Sequence, residues 1–255
     1  MYINCHSYYS LRYGTYAPKD LVAHAKSLGI TQLVQTDINN ASAAYEFVRA
    51  CEKNAIKPIL GIEFRSNEHG VVHTNSQEAR FRYLVIAKNK EGFREACQLQ
   101  THCSLDEKAL PVIAPELPNC YIIYRKLPKP VEDFRENEFI GVRPEEVNKL
   151  FNSPLRQRQD RLVVFSPVSF QDEEHYKVHR ILRCIDLNIV IGKLACRDCA
   201  KSSESFHAAG YIEKQFEQYP QILENTQNLL DSCQVEMESS FSNNRRTFTG
   251  THASD

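Results

Sequence analysis

The chain has 255 residues, of which 42% are hydrophobic, and its 31 basic and 32 acidic residues give a formal net charge of −1. This length can bury a substantial core, either as one large domain or as two small ones. A domain whose main task is to grip nucleic-acid phosphates is usually far more basic, so the composition argues against that class.

Short apolar runs alternate with amphipathic helical patterns through the first half of the chain. Strands are predicted at residues 2–5, 32–35, 58–64 and 82–87, and helices at residues 18–28, 42–54 and 91–102. Pro18 lies near the first turn of its helix and Gly29 follows the last turn, as is usual at helix ends. Glu68-His69-Gly70 is typical of a turn, and an eighth strand can follow it near Val71.

The second half continues the pattern less regularly. Strands are predicted at residues 121–124, 138–142 and 162–165, and helices at residues 144–151, 173–187 and 219–233. Repeated strand–helix units indicate an α/β fold with a parallel sheet, open or closed. We prefer the closed form, a distorted (β/α)7 TIM-like barrel over residues 1–238. The Ser-, Asn-, Thr- and Arg-rich residues 239–255 are predicted to be a linker-like tail.

The nine cysteines are odd in number and fall mostly in predicted strands or helices, which is typical of reduced, buried thiols. The first residues lack the charged and apolar regions of a signal peptide. No apolar run approaches the ~20 residues that span a bilayer. We therefore expect a cytoplasmic protein without a membrane partner.

Three short polar signatures each follow a predicted strand. They are Asn4-Cys5-His6-Ser7, Thr36-Asp37-Ile38-Asn39-Asn40 and Gly61-Ile62-Glu63. Parallel α/β folds usually build their sites at that end of the strands, so the signatures mark a candidate site.

The signatures resemble the opening of the PHP (polymerase and histidinol phosphatase) domain that begins bacterial replicative DNA polymerase III α subunits. In that family they read roughly His-x-His-Ser, Thr-Asp-His-Gly-Asn and Gly-Cys-Glu, and their His and Glu side chains hold a metal cluster. The resemblance extends from Ile3 to about Glu238, through Lys201-Ser202-Ser203-Glu204 and a closing segment at 216–236. It is weakest at residues 104–160. It implies the TIM-like PHP fold.

Most of the family's metal ligands are replaced in this chain. Asn4, Tyr13, Ile38, Arg82, Pro167 and Ser169 stand in ligand positions, while His6 and Glu63 remain. Losing most ligands should abolish a metal site, since losing one supporting partner already costs about 10–100-fold. We expect no cofactor and no confident catalytic residue, the alternative being a zinc or manganese site. The pocket candidates are Asn4, His6, Asp37, Glu63 and Arg82, with His6 and Glu63 as remnant metal ligands.

Arg82 has a specific expected role. A guanidinium in a former ligand position would repel cations and is predicted to pair with Glu63 or Asp37. Asp37 is otherwise expected to cap loop backbone. A further alternative is that Arg82, His6 and Asn4 form a small anion pocket without metal.

Other arrangements have a structural and a functional interpretation. Cys196 and Cys199 have CxxC spacing but no second ligand pair, so ordinary loop cysteines are favoured over a metal site. His175 and His179 have a spacing that can bind zinc from one helix face, but core packing of His179 is favoured. Two arginine groups are interpreted as solvated surface rather than a DNA track; they are Arg156, Arg158 and Arg161, and Arg245 and Arg246.

The leading hypothesis is the N-terminal PHP domain of a replicative DNA-directed DNA polymerase III α subunit, acting as a catalytically inactive structural and docking module. The resemblance implies contacts with the palm and thumb of the same chain and a surface for a proofreading exonuclease subunit. DNA and magnesium would be bound only by the parent polymerase. The alternative is an active metal-dependent phosphoesterase, either a 3′–5′ exonuclease or a small-molecule phosphatase.

Overall fold

The computed structural model describes residues 1–66, 80–105, 110–235 and 237, and within these ranges eight strands form one sheet in the order β7-β6-β5-β4-β3-β2-β1-β8. The predicted turn at 68–70, the strand near Val71 and the tail at 239–255, with Arg245 and Arg246, lie outside these residues. The strands are β1 Asn4–Cys5, β2 Gln32–Gln35, β3 Lys57–Ser66, β4 Arg80–Ala87, β5 Cys120–Tyr124, β6 Glu138–Val142, β7 Leu162–Val164 and β8 Pro167–Val168.

The α-helices lie between these strands and after them. They are α1 Pro18–Ser27, α2 Ala44–Asn54, α3 Lys90–Leu105, α4 Glu173–Leu187, α5 Tyr211–Gln215 and α6 Pro220–Ser232. No helix in the described ranges is long and apolar enough to cross a membrane. The helix predicted at 144–151 is instead a 3₁₀ segment, Pro144–Asn152. Its buried residues, Pro144, Val147 and Leu150, recur every third position, which matches the three residues per turn of a 3₁₀-helix.

The sheet curls until its two ends meet. β7 and β8 stand at opposite ends of the strand order, yet only Phe165 and Ser166 separate them in the chain. Residues 162–168 therefore act as one bent strand that pairs with β6 on one side and with β1 on the other. Counted in this way the sheet has the seven strands predicted from the sequence, and the α/β class is confirmed.

Side chains on alternate positions of the strands form two separate cores, as the pleat requires. One cluster collects a residue or two from most strands and is closed by Leu229 and Leu230 of α6. Its buried strand members are Val34, Ile59, Leu84, Ile86, Ile123 and Val163. The alternate positions, such as Leu33 and Leu60, pack instead with residues of α1 and α2. The first cluster thus fills the inside of the curled sheet.

The expectation of an all-parallel sheet is wrong at β4. This strand pairs antiparallel with both β3 and β5. Ala87 at the end of β4 lies opposite Cys120 at the start of β5, so α3 and the segment after it leave and return at the same end of the sheet. Antiparallel neighbours need no crossover to the far end, and the helical pattern of α3 does not reveal that difference.

Gly61 is held at a close approach between strands. In β3 it lies opposite Ile86, and a Cβ atom on it would lie 2.3 Å from the carbonyl oxygen of Val85 and 2.9 Å from Cγ2 of Thr36. A strand backbone cannot move aside without breaking its ladder. The glycine of the Gly-x-Glu signature is therefore required by packing, whatever the chemistry of the glutamate beside it.

Replacing Gly61 by Ala is expected to lower the free energy of unfolding by about 2 kcal/mol or more, because the added methyl group overlaps backbone. Urea unfolding followed by circular dichroism measures the loss. Gly192→Ala is the matched control, since a Cβ there meets nothing within 4 Å, and it should change stability by less than about 0.5 kcal/mol. Equal losses in the two variants would contradict this packing argument.

Candidate functional site

Glu63 is the centre of a buried polar cluster formed by β1, the residue that follows it and the second half of β3. Asn4, His6 and Glu63 are each 1% exposed. Asn4 Nδ2 donates to Glu63 Oε2 at 2.6 Å, and His6 Nε2 lies 3.1 Å from the same oxygen. The other oxygen, Oε1, accepts from Nε of Arg65. Both carboxylate oxygens are therefore occupied by protein donors.

The cluster continues on the other side of His6. His6 Nδ1 lies 2.9 Å from Ser169 Oγ, and Ser169 Oγ donates to Glu204 Oε2 at 3.0 Å. Because the single Ser169 hydroxyl hydrogen goes to Glu204, His6 Nδ1 must donate to Ser169. His6 Nε2 faces a carboxylate, so it must donate as well. Both ring nitrogens of His6 are therefore engaged by neighbouring side chains.

The ionised form of Glu63 is strongly favoured. Burial alone would raise the pKa of this carboxyl, but the charges of Arg65 and His6 and the hydrogen bonds from His6 and Asn4 outweigh burial. The pKa of Glu63 is therefore well below its usual value. The cluster is a fixed carboxylate held between the Arg65 guanidinium and the His6 ring.

Asp37 belongs to a neighbouring but separate cluster. Its Oδ1 accepts from the Ser7 N–H at 2.7 Å and from Ser10 Oγ at 2.6 Å. Its Oδ2 accepts from Ser7 Oγ at 2.8 Å and from Gln35 Nε2 at 3.0 Å. Burial raises the pKa of Asp37, and the hydrogen bonds from Ser10 and Ser7 oppose that rise. Asp37 thus ties the end of β2 to the loop that follows β1.

The cation that binds Glu63 is Arg65, whereas the sequence pointed to Arg82. Arg65 stands two residues after Glu63 on β3, and alternate strand residues share a face. A register shift between Phe64 and Arg65 accompanies this placement. The guanidinium also lies 4.4 Å from the centroid of the Tyr13 ring. The alternation of side chains along β3 could have predicted that Arg65 lies beside Glu63. The family resemblance instead suggested Arg82.

The alternative of an anion pocket made by Arg82, His6 and Asn4 does not fit these contacts. The donors of His6 and Asn4 that would face an anion are both directed at Glu63 Oε2. An anion there would have to replace a carboxylate that is already fully bonded.

Apolar side chains occupy positions where the family has metal ligands. Tyr13 and Ile38 form a buried cluster with Phe170 and Ala200. The Tyr13 ring lies edge-on to His6 at 5.4 Å between centroids, and Ile38 forms a β-bridge with Glu63. Among the described residues no group of three or more His, Cys, Asp or Glu side chains is placed to hold a metal ion. The residues present do not fit a metal cluster.

His179 packs beneath the same cluster and is fixed as a neutral ring. Its Nδ1 lies 2.6 Å from the carbonyl oxygen of Tyr13, and its Nε2 accepts from the Ala200 N–H at 2.9 Å. Burial lowers the pKa of His179 to about 4. His175 is more exposed and pairs with Asp172 at 2.9 Å. The two histidines therefore do not converge on one site.

The remaining sequence candidates lie at the surface. Cys196 is exposed and Cys199 is half-buried, and burial raises the pKa of Cys199. Arg158 and Arg161 both pair with Asp160. Asp160 therefore partly neutralises the positive charge of these two arginines.

Replacing Arg65 by Ala is expected to destabilise the chain by about 3 kcal/mol at pH 7, because it leaves a buried carboxylate without its main counter-charge. The loss should shrink as the pH falls toward 4, since Glu63 can then take up a proton in the variant. Urea unfolding across pH measures both effects. Arg94→Ala, which removes only an exposed partner of Glu91, should be nearly neutral; a similar loss there would contradict the argument.

A second prediction concerns His179 and pH. Its folded pKa of about 4 lies below the ordinary 6.5, so the unfolded chain binds more protons between these values. Stability should therefore fall as pH decreases from 6.5 toward 4, with a His179 contribution of up to about 3 kcal/mol. His179→Phe should make this slope shallower than in the unsubstituted chain. Equal slopes in the two proteins would refute the assignment.

Comparisons with known proteins find similar chains. The PHP domain family model matches residues 3–125. The DNA polymerase III subunit alpha of Chlamydia trachomatis is 33% identical over 102 residues, which are 39% of this chain and 8% of that protein. The subunit of the same name from Helicobacter pylori strain 26695 is 30% identical over 105 residues, covering 41% of this chain and 9% of that protein.

One solved structure covers most of the chain at low similarity. It comes from Bifidobacterium adolescentis, is described as a candidate metal-dependent phosphoesterase, and covers 88% of this chain and 95% of its own. The identity is 12% and the TM-score is 0.31, too low to carry an argument. The chain spans less than a tenth of the polymerase subunits that it matches. Over residues 3–125 the chain is similar to the PHP domain family.

Proposed function

We propose that this chain is the N-terminal PHP domain of a DNA polymerase III α-type subunit, and that it is a structural and docking module without phosphoesterase activity. The observation that carries the proposal is the contact between the two remaining ligands. His6 and Glu63 bind each other, and Arg65 occupies the second oxygen of Glu63.

Metal-dependent phosphoester hydrolysis needs ligands with free lone pairs and an open position for water. An imidazole that donates from both nitrogens offers no lone pair to a cation. Glu63 would have to give up Arg65 to bind a metal ion, and the released guanidinium would repel that ion. This rearrangement would also take Glu63 Oε2 away from Asn4 Nδ2, its present donor.

A structural role follows from where the cluster lies. His6 follows β1 and Ser169 follows β8, so their hydrogen bond spans the seam at which the curled sheet closes. The His6 N–H also donates to the Val168 carbonyl oxygen at 2.8 Å across that seam. Arg143 Nη2 reaches Glu204 at 2.8 Å and extends the network toward the end of β6. The hydrogen bonds of this cluster would stabilise the closed barrel where β1 meets β8.

The relatives named DNA polymerase III subunit alpha suggest the partners. We infer that polymerase modules of the same polypeptide, including palm and thumb, pack on this domain in the cytoplasm, and that a proofreading exonuclease subunit is a second candidate partner. DNA and magnesium would bind to those modules. Retention of the cognate exonuclease subunit on the immobilised 255-residue chain tests the second partner. If the subunit is not retained, the proposal that it binds this domain is wrong.

Metal analysis of the purified chain tests the central proposal. After loading with zinc or manganese and dialysis, the expected result is far less than one metal ion per chain and no hydrolysis of p-nitrophenyl phosphate above buffer. Glu63→Gln serves as the control, because it removes a remnant ligand and should leave both readings unchanged. Two or more tightly held metal ions, with hydrolysis that disappears in Glu63→Gln, would establish the phosphoesterase alternative instead.

A further inference from the structure

Two cysteines lie on a single turn of 3₁₀-helix that the proposed function does not use. The turn is Cys196–Asp198, and the Asp198 N–H donates to the Ala195 carbonyl oxygen at 3.0 Å. The dihedral angles of these three residues also fix the Cα position of Cys199, which completes the turn. We call residues 195–199 the cysteine turn.

The backbone of the cysteine turn has the spacing that a disulfide bond needs. A 3₁₀-helix has three residues per turn and rises about 2.0 Å per residue, so positions i and i+3 lie in one row with their Cα atoms about 6 Å apart. The Cα atoms of disulfide-bonded cysteines are usually about 4.4–6.8 Å apart. Cys196 and Cys199 are therefore placed so that a disulfide can join them without a large movement of the backbone.

Both thiols also act on one hydroxyl group, that of Tyr176 on α4. Burial is the largest cause of the raised pKa of Tyr176, and the Cys199 and Cys196 thiols contribute to it, because their ionised forms would repel a phenolate. Such repulsion is felt only at short range. The two cysteine side chains therefore lie over the same part of α4.

Hydrogen bonds on both sides of Cys199 hold the cysteine turn against α4. Arg183 Nε donates to the carbonyl oxygen of Asp198 at 2.7 Å, and the Ala200 N–H donates to Nε2 of His179 at 2.9 Å. The backbone around Cys199 is thus already ordered in the folded chain. Forming a disulfide there costs little further conformational entropy.

The surroundings of the cysteine turn admit a small anionic oxidant. Of the nine cysteines, all of which lie in the described ranges, Cys196 alone is exposed, while Cys199 is half-buried. The Arg197 side chain beside them is 86% exposed. The charges of Arg183 and Arg180 favour the ionised form of Cys199, although burial raises its pKa overall. Accessible thiols among positive charges are those that exchange with disulfides.

Cys184 of α4 is the other cysteine close to Cys199. Its ionised form would repel that of Cys199, so the two thiols are near one another. Cys184 is only 9% exposed, however. Exchange begins at a sulfur that the oxidant can reach, so Cys196 is favoured over Cys184 as the partner of Cys199.

We propose that Cys196 and Cys199 form a reversible disulfide by exchange with a small disulfide such as glutathione disulfide, which makes the cysteine turn a redox modification site. The Cys196 thiolate attacks glutathione disulfide, whose S–S bond breaks and releases one glutathione thiolate. The Cys199 thiolate then attacks Sγ of Cys196 and releases the second. The two cysteine thiols lose two protons and two electrons, and the electrons reduce glutathione disulfide to two glutathione molecules. The proposal does not depend on the proposed polymerase role.

Peptide mapping tests the site directly. The reduced 255-residue chain is incubated in glutathione buffers of increasing disulfide content, blocked with N-ethylmaleimide and digested with trypsin. Trypsin cleaves after Lys193, Arg197 and Lys201, so the two cysteines fall in separate peptides, 194–197 and 198–201. The expected result is that these peptides become linked as the disulfide content rises, and that excess reduced glutathione separates them again.

Two variants check the order of the steps. Cys199→Ser should retain a glutathione molecule on Cys196 as a stable mixed disulfide, because the second attack is lost. Cys184→Ser is the matched control and should leave the link between 194–197 and 198–201 unchanged. Far-UV circular dichroism of each variant checks that it is folded.

A synthetic peptide of residues 190–203 separates the effect of the fold from that of the sequence spacing. It contains both cysteines but lacks the hydrogen bonds to α4. Its equilibrium constant for disulfide formation against glutathione should be lower than that of the folded chain by about tenfold or more, because the peptide must lose chain entropy when the bond forms.

Three outcomes would overturn the proposal. One is a link between peptide 198–201 and peptide 184–193, which would make Cys184 the partner of Cys199. Another is a folded chain whose Cys196 and Cys199 thiols stay free in a glutathione buffer that oxidises the synthetic peptide. The third is an equal equilibrium constant in chain and peptide, which would show that the fold does not prepare this pair.

Discussion

A buried carboxylate needs positive charge or hydrogen-bond donors beside it. The arrangement of this protein follows from the groups that supply them to Glu63. An isolated charge at 1% exposure would cost several kcal/mol. Arg65 and His6 supply positive charge, and Asn4 supplies a further donor. Each of these residues is in turn fixed by the fold, since Arg65 lies against Tyr13 and His6 is bonded to Ser169. The requirement of one side chain thereby links β1, β3 and the segment after β8.

The side chains around Glu63 form a consistent set when they are considered together. A metal cluster would provide concentrated positive charge among anionic and imidazole ligands. In this chain Arg65 provides positive charge beside Glu63, while Tyr13, Ile38 and Phe170 fill the neighbouring space with apolar side chains. Introducing a single metal ligand would leave Arg65 and the apolar cluster in place. These side chains therefore pack as one unit in which individual positions have little freedom to change alone.

The sequence predicts the strands well where short apolar runs are bounded by polar residues, as at β2 and β6, and it predicts the seven-strand count. It does not predict the direction of β4, because a strand's own residues carry no mark of the direction of its neighbours. The partners of His6 illustrate a second limit. Ser169 lies 163 residues away along the chain and becomes a neighbour only when the sheet closes. Side-chain alternation along β3 could have indicated Arg65, and the family resemblance set Ser169 in the same pocket as His6, but nothing in the sequence indicated that Glu204 binds Ser169.

The closing seam has a consequence for the order in which the molecule is assembled. β1 is only two residues long, and it pairs with β2 early in the chain but with Pro167 and Val168 on its other side. Bringing such distant residues together requires closing a long loop, which slows folding. During synthesis the outer edge of β1 has no partner from this sheet until Pro167 and Val168 have emerged. For that time the edge of β1 is open to pairing with another chain.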